Sequence, residues 1–303
     1  MLRCSVIVVT YNSAEAIGAC LEALAHEDCE IVVVDNASQD ATVQRVEESV
    51  AWHELRLLAN ERNLGFAAAA NQGARETSGD VLLLLNPDAI AEPGAVKALV
   101  QCIESNSAAA ASGALLQDDG KPARGFSFRR LPTLAALLCE TLLVNQLWPD
   151  NPVNRRYRCL DSYYSQPQDI EQPAGACLAI TRDAWNALGG FDEQFFPVWF
   201  EDVDLCKRLL EGGQRIFYCP IARFRHSGGH SVSRLSFRDK QLFWYANMLR
   251  YARKNFAPGQ ARILRAGIVI GMLLRSGAAL CGARQVPLGE ALAAYRTVIR
   301  EVR

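Results

Sequence analysis

Four places in this 303-residue chain gather side chains able to do chemistry, each beside an apolar or aromatic run. The stretch FFPVWFEDVDLCKRLLEGG carries Glu201, Asp202 and Asp204 behind Phe195, Phe196, Trp199 and Phe200. A helix dipole keeps carboxylates at its N-terminus ionised, so these could serve as bases or ligands. Adjacent helical positions face different ways, so Glu201 and Asp202 are not expected to share one task. Acidic residues are common at helix starts; the aromatic approach is not, and sugar-binding sites favour such rings beside carboxylates. The run LLLLNPDA ends a buried strand at a proline turn bearing Asn86 and Asp88. Amide and carboxylate oxygens suit a hard divalent cation, Mg2+ or Mn2+, which usually bridges to substrate phosphates. A capped turn before the helix at Pro93 would account for the same two residues without an ion. The segment RFRHSGGHSVSR sets His226 at a strand end and His230 in a glycine-rich loop. An imidazole can complete such a cation site, and His230 with Ser231 suits phosphate contacts, although a lone histidine is more often structural. Asp35 closes the run IVVVD, where it could accept the imide N–H of a uracil or thymine, or a ribose hydroxyl. Asp35-Asn36 equally suits an Asx turn, and Ser38 reads as a helix N-cap.

The elements that must position these residues follow from periodicity. Val/Ile/Leu runs predict strands at Ser5–Thr10, Glu30–Asp35, Glu54–Ala59 and Asp80–Asn86. Between them, patterns predict helices at Ala14–His26, Asp40–Val50, Phe66–Thr77 and Pro93–Ser105. Strand then helix, repeated, means βαβ units and a mostly parallel sheet with ligands beyond the carboxyl ends of its strands. Tyr11, Asn12, Asp35, Asn86 and Asp88 stand at those ends. Residues 120–172, with five prolines, read as loops or a lid around one helix at Thr133–Leu147. A strand at Ala174–Thr181, a helix from about Glu201 to Glu211, and strands near Arg215–Cys219 and Ala222–His226 follow. The tail from Phe237 reads as two or three helices broken at Pro258-Gly259 and Pro287. The first strand leads into TYNSA, with neither GxGxxG nor GxxxxGK[ST], which excludes the nicotinamide and P-loop fingerprints.

Half the residues are hydrophobic and 21% are charged, which is ordinary for a globular protein. The ten cysteines form no CxxC pair and mostly lie in apolar runs, so they read as reduced core thiols of a cytosolic protein. No signal peptide is expected, and no unbroken apolar run reaches membrane-spanning length; the longest late one, Ala266–Leu274, is bounded by Arg265 and Arg275. The net charge of −1 hides an asymmetry: residues 1–222 hold 17 Lys/Arg against 30 Asp/Glu, and residues 223–303 hold 15 against 3. A basic end suggests a negative partner, such as a membrane surface or a phosphorylated acceptor, or else neutralisation across an internal interface. The helix near Phe237–Phe256, with Phe237, Trp244, Met248 and Tyr251 at near-helical spacing, suggests a face packed on the first domain or on a second subunit of a homodimer. Its alternative is peripheral membrane contact, with Arg262, Arg265 and Arg275 flanking apolar residues.

In order along the chain, SVIVVTYNSA, IVVVDNASQD, ERNLGFAAAANQG, LLLLNPDA, PAGACLAITRDAW, GGFDEQFFPVWFEDVDLCKRL and HSGGHS resemble the family 2 glycosyltransferases of the GT-A fold, especially the bacterial rhamnosyltransferase-like branch. The resemblance covers roughly residues 3–232 and leaves 233–303 as a helical basic extension. It implies an α/β nucleotide-diphospho-sugar transferase with a nucleotide half to about residue 115 and an acceptor half from 116 to 232. Asp35 would meet the nucleobase with Thr10, Tyr11 and Asn12 beside it. Asn63, Gly65, Asn86 and His230 would serve the donor, and Asn71 would lie near the donor or support its loop. Asp88 and His226 would hold the cation, Asp202 would be the catalytic base, and Glu201 would bind acceptor or orient the base. The first position of the family's Asp-x-Asp is Asn86, which leaves one carboxylate for the metal. The implied reaction is inverting transfer of a sugar, L-rhamnose from a dTDP donor first, to a hydroxyl of a glycan or lipid-linked acceptor in cell-surface polysaccharide synthesis. The same chemistry with a UDP- or GDP-hexose is the alternative, then a nucleotide-sugar binder without activity. Nucleic acid is not expected as a partner, and the expected location is the cytoplasm or the inner face of the plasma membrane.

Overall fold

The computed structural model describes residues 2–50, 55–226, 235–283 and 285–302. Strands β1 (Cys4–Thr10), β2 (Cys29–Asp35), β3 (Leu55–Ala59) and β4 (Val81–Leu85) pair in parallel in the order β3-β2-β1-β4. Their register puts Thr10 opposite Asp35, so two polar strand ends finish level with one another. Both faces of this sheet are covered, which is why its strands are continuously apolar. Val6, Val8, Ile31, Val33, Leu83 and Leu85 point to one layer. That layer is covered by helices α1 (Ile17–Leu24), α2 (Thr42–Val50) and, beyond a short edge strand β5 (Ala89–Ala91), α4 (Ala95–Asn106). Ile7, Val9, Val32, Val34, Leu82 and Leu84 point the other way, onto α3 (Phe66–Arg75). The period of two puts alternate residues of each strand into different cores.

The second half turns the sheet mixed. Strand β6 (Ala110–Leu116) follows α4, and β7 (Phe128–Arg129) pairs with β9 (Gln172–Pro173) in a separate small ribbon. Strand β10 (Cys177–Thr181) runs antiparallel between β4 and β6, and β11 (Ile216–His226) pairs in parallel with β6 while β5 and β8 (Gln168–Asp169) line it antiparallel. Strand β6 carries no strong apolar pattern and sequence periodicity misses it. Its Gly113 is required by packing, because a Cβ there would stand 2.4 Å from the Ala222 carbonyl oxygen. The two strands expected near 215–226 are one bent strand, its register on β6 shifting between Cys219 and Arg223, around Pro220. The helix expected over 133–147 is broken into α5 (Leu134–Thr141) and α6 (Val144–Leu147) by left-handed Leu143 at φ 67°. Helix α7 (Pro152–Tyr157) and α8 (Arg182–Leu188) are further elements that periodicity did not mark, and α9 (Glu201–Glu211) falls where it was expected. Ser38 is not a helix cap: its hydroxyl accepts the Asn12 N–H at 2.8 Å, and the Asp40 carboxylate receives the Thr42 N–H at the start of α2.

Three helices form the tail: α10 (Phe237–Asn255), α11 (Pro258–Leu280) and α12 (Leu288–Val302). Pro258 opens α11 at a first-turn position, where its missing N–H costs nothing. These helices do not form a core alone. Met248, Tyr251, Leu264 and Ile268 share one apolar cluster with Leu137 of α5 and with Phe195, Phe200 and Val203 around the start of α9. Asn247 donates its amide to the carbonyls of Phe196 and Val198 at 3.1 and 2.9 Å. Lys254 pairs with Asp192 and with fully buried Asp204. Part of the charge asymmetry is therefore neutralised internally. Helix α11 is long and apolar enough by length and composition to cross a membrane, and a third of its most apolar window is buried against the rest of the chain. All ten cysteines are free thiols.

Candidate active site

Asp202 occupies the first turn of α9 and receives two backbone N–H bonds, from Val203 at 2.8 Å and from Gly175 at 3.1 Å. A Cβ at residue 175 would stand 3.1 Å from Asp202 Oδ2, so the glycine of PAGAC is what lets the chain come this close. Burial pushes the Asp202 carboxyl above its ordinary range, while the two N–H donors and the Arg129 charge pull it back. Glu201, beside it, is 4% exposed, and its Oε2 makes no hydrogen bond. Burial first, and then the Asp202 charge, raise its carboxyl well above the ordinary range. Of the two, Asp202 has two neighbouring N–H donors that stabilise an anion, so it is the readier to ionise and Glu201 the readier to keep a proton.

The turn that delivers them is strained. Trp199 at φ 78° and Phe200 at φ 75° are consecutive non-glycine residues in the left-handed region. Each such residue costs about 1–3 kcal/mol and persists only where packing fixes it. Phe200 meets the rings of Trp244 and Tyr251 at 5.3 and 5.7 Å, and Trp199 meets Trp244 edge-on at 5.5 Å. Helix α10 thus clamps the turn and brings Trp244 to the wall of a cavity of about 340 Å³. Glu201 and Asp202 both open into this cavity, and Asn86 and His226 edge it.

Asp88 lies just behind that edge. Its Oδ1 is 3.3 Å from His226 Nε2, both side chains are nearly buried, and Nε2 makes no hydrogen bond. Phe126 stacks on the imidazole at 5.4 Å and fixes the ring plane. A ring nitrogen and a carboxylate oxygen turned toward each other, with Asn86 beside them, suit a hard cation. Among the described residues no group of three His, Cys, Asp or Glu side chains could hold a metal ion, so these residues offer Asp88 and His226 as two donors and the substrate would add others. His230 falls outside the described residues.

The other expected residues form a second group at the ends of β1 and β2. Asp35 is 1% exposed and accepts Thr10 Oγ1 at 2.8 Å, Ser38 Oγ at 2.5 Å and the Ser38 N–H at 2.8 Å. It therefore locks the turn, as its Asx reading implied. Asn12, at φ 52°, accepts the Gln39 N–H at 2.7 Å and so ties the two strand-end loops together, with half-buried Tyr11 next to it. The Asn63 side chain accepts the Gly65 N–H at 2.8 Å. Gly65, at φ 84°, would clash as alanine with Phe196 and Pro197, so it joins the nucleotide half to the aromatic approach of α9. Asn71 stands apart from the rest: its amide is spent on the Phe191 backbone, 2.9 and 3.0 Å, and on Glu193 at 2.9 Å. It supports a loop, one of the two roles the resemblance implied for it, and its Oδ1 keeps a second lone pair. Asp204, third of the acidic run, is likewise structural, paired with Arg208 and Lys254. Reading by motif missed Gly175, Arg129 and Trp244. The PAGAC glycine carried a signal; the other two are brought in by tertiary contact alone.

The model of "Glycosyl transferase family 2" matches residues 5–157. The chain is 31% identical over 248 residues to the N-acetylglucosaminyl-diphospho-decaprenol L-rhamnosyltransferase of Mycobacterium tuberculosis, covering 76% of this chain and 77% of that one. It is 28% identical over 182 residues to the rhamnosyltransferase WbbL of Escherichia coli, 59% of this chain and 64% of that one. Among solved structures it resembles a mannosyltransferase from Pyrobaculum calidifontis in complex with GDP-Man and Mn2+, with TM-score 0.56, 19% identity, and 99% and 84% of the two chains covered. Residues 1–349 of TarS from S. aureus match with TM-score 0.54 and 18% identity over 98% of this chain and 90% of that one. The fold is that of the GT-A glycosyltransferases.

If Glu201 is already neutral, Glu201→Gln should leave the acid limb of the activity profile in place. The limb itself should lie above the ordinary aspartate range, with activity lost as pH falls through the raised Asp202 value, since the base must be ionised. A pH profile of kcat for both proteins checks this; a limb displaced in Glu201→Gln contradicts the assignment.

Proposed function

The chain belongs to glycosyl transferase family 2 and is an inverting glycosyltransferase; on that footing we propose Asp202 as its catalytic base, working on an L-rhamnosyl donor. The observation that carries this reading is one cavity with Asp202 and Glu201 in its wall and Asn86 and His226 at its edge. The acceptor hydroxyl loses its proton to Asp202, its oxygen bonds to the anomeric carbon, and the bond from that carbon to the diphosphate oxygen breaks on the opposite face. One displacement inverts the centre. Positioned general-base help is worth about 10²–10⁴-fold. Neutral Glu201 donates a hydrogen bond to an acceptor hydroxyl and orients it toward Asp202. Trp199 and Trp244 offer ring faces to the acceptor sugar.

Asp88 and His226 would hold a divalent cation, Mg2+ or Mn2+, which would neutralise charge growing on the leaving diphosphate. The chain's own part is to keep the imidazole plane fixed under Phe126 and to present Asn86 to the donor. Asp35 reads the base with the second lone pair of Oδ2, next to Tyr11 and the Asn63–Gly65 turn. His230 contacts the diphosphate. These roles divide the chain into a catalytic unit, 1–232, and an extension, 233–303, that completes its acceptor wall.

The mycobacterial relative's name specifies N-acetylglucosamine on a polyprenyl diphosphate. For this chain we take the same class of donor and acceptor, dTDP-rhamnose and a lipid-linked sugar, with UDP- and GDP-hexoses as the rival donors. A lipid-linked acceptor places the enzyme at the inner membrane surface. Ile263, Ile270, Leu273, Leu274 and Leu280 of α11 are about half or more exposed, and Arg262 and Arg265 flank them. That outer face is the membrane contact.

Asp202→Asn should abolish transfer, by at least about 10²-fold, while nucleotide binding measured by calorimetry stays within about twofold; retained turnover would remove Asp202 as the base. Full-length protein should pellet with anionic vesicles, and Ile270→Asp with Leu274→Asp should release it. Equal pelleting of the two proteins counts against α11 as the contact.

A further inference from the structure

A second cavity, of about 280 Å³, adjoins the catalytic one. Trp199 and Trp244 line both, so the two spaces are separated by the thickness of one aromatic pair. Beyond that pair the character of the lining changes. Lys240 and Gln241 enter from α10, Arg275 from α11, Gln146 from α6 and Glu140 from α5. Resting on the acceptor reading above, we propose that this cavity is the subsite for the diphosphate of the acceptor, with Lys240 and Arg275 as its two cations.

Arg275 is held in advance. Its guanidinium donates to the carbonyls of Thr141, Glu140 and Gly271 and lies 5.6 Å from the Tyr245 ring centroid. Carbonyl partners fix the fork without neutralising it, so its charge remains available to an anion. Gly271 makes the arrangement possible, since a Cβ there would stand 2.2 Å from the Thr141 carbonyl oxygen. Lys240 adds a second charge one helical turn before Trp244. Glu140 brings a carboxylate into the same space, where it accepts the Asn145 amide at 3.1 Å. The lining keeps one cation in excess, and the anion belongs between Lys240 and Arg275, away from Glu140.

The chemistry of the acceptor fits this order of surfaces. Its attacking hydroxyl and its anomeric diphosphate are carried by different carbons of one sugar ring. With the hydroxyl at Asp202 and the ring against Trp199 and Trp244, the diphosphate reaches the next cavity. Past Gln146 the surface becomes apolar: Leu147 is 86% and Trp148 59% exposed, and Leu274 beside Arg275 is 47% exposed. Sugar, charge and hydrocarbon thus meet aromatic, cationic and apolar surface in sequence.

Calorimetry with nucleoside diphosphate present, and no vesicles, tests the subsite against a bilayer effect. The probes are N-acetylglucosamine linked by diphosphate to a short water-soluble prenyl chain, and the neutral alkyl glycoside of the same sugar. Wild type should bind the diphosphate probe at least about tenfold more tightly. Lys240→Ala should remove about that factor for the diphosphate probe, leave the neutral probe within about twofold, and be rescued by Lys240→Arg. Equal effects on both probes, or no wild-type preference for the diphosphate, overturn the subsite. Failure of the nucleoside diphosphate itself to bind strikes the transferase reading instead.

Discussion

The structure turns on the burial of two neighbouring carboxylates at the start of α9. Taking a charged group out of water costs several kcal/mol unless donors replace the solvent. Asp202 has such donors in the Val203 and Gly175 amides. Glu201 Oε2 has none, and burial raises that carboxyl well above the ordinary range, which favours its protonated form. The surroundings thereby set the two carboxyls apart, and the proposed base and hydrogen-bond donor rest on that difference. It depends in turn on a backbone turn, Trp199-Phe200, that no isolated peptide of this sequence would favour.

What holds that turn is far away in sequence. The rings of Trp244 and Tyr251, the amide of Asn247 and the cation of Lys254 all come from α10 and all engage the segment between Asp192 and Asp204. The family model ends at residue 157 and so reaches neither the carboxylates nor their clamp. In this chain the tail is part of the wall of the cavity that holds the two carboxylates and of the core that supports it. Gly65 supplies the opposite support, letting Phe196 and Pro197 pack on the loop that leads into α3.

Much of this was readable in the sequence. The parallel half of the sheet, with Thr10, Asp35 and Asn86 at its strand ends, follows from runs such as IVVVD and LLLLNPDA, because strands buried on both faces are continuously apolar. The order of motifs carried the family. What periodicity could not show were elements made by small residues or by tertiary contact. Strand β6 is written AASGALL and is a strand because Gly113 fits beneath Ala222. Asn71 was expected near the donor or supporting its loop, but the segment it holds, at Phe191 and Glu193, lies 120 and 122 residues further along the chain and could not be read from the motif. Asp204 stood in the same acidic run as Asp202 and is paired with Arg208, four residues on and readable as a helical neighbour, and with Lys254, which only the tertiary structure brings to it.

The most direct test of the account is nucleotide release from a panel of dTDP-, UDP- and GDP-sugars, with Mg2+ or Mn2+ and with EDTA, followed by the anomeric configuration of any transferred sugar. The account predicts release from dTDP-rhamnose above the other donors, dependence on the cation, and a product of inverted configuration. A product that keeps the donor's configuration, or release from every donor alike and unchanged by EDTA, would contradict it.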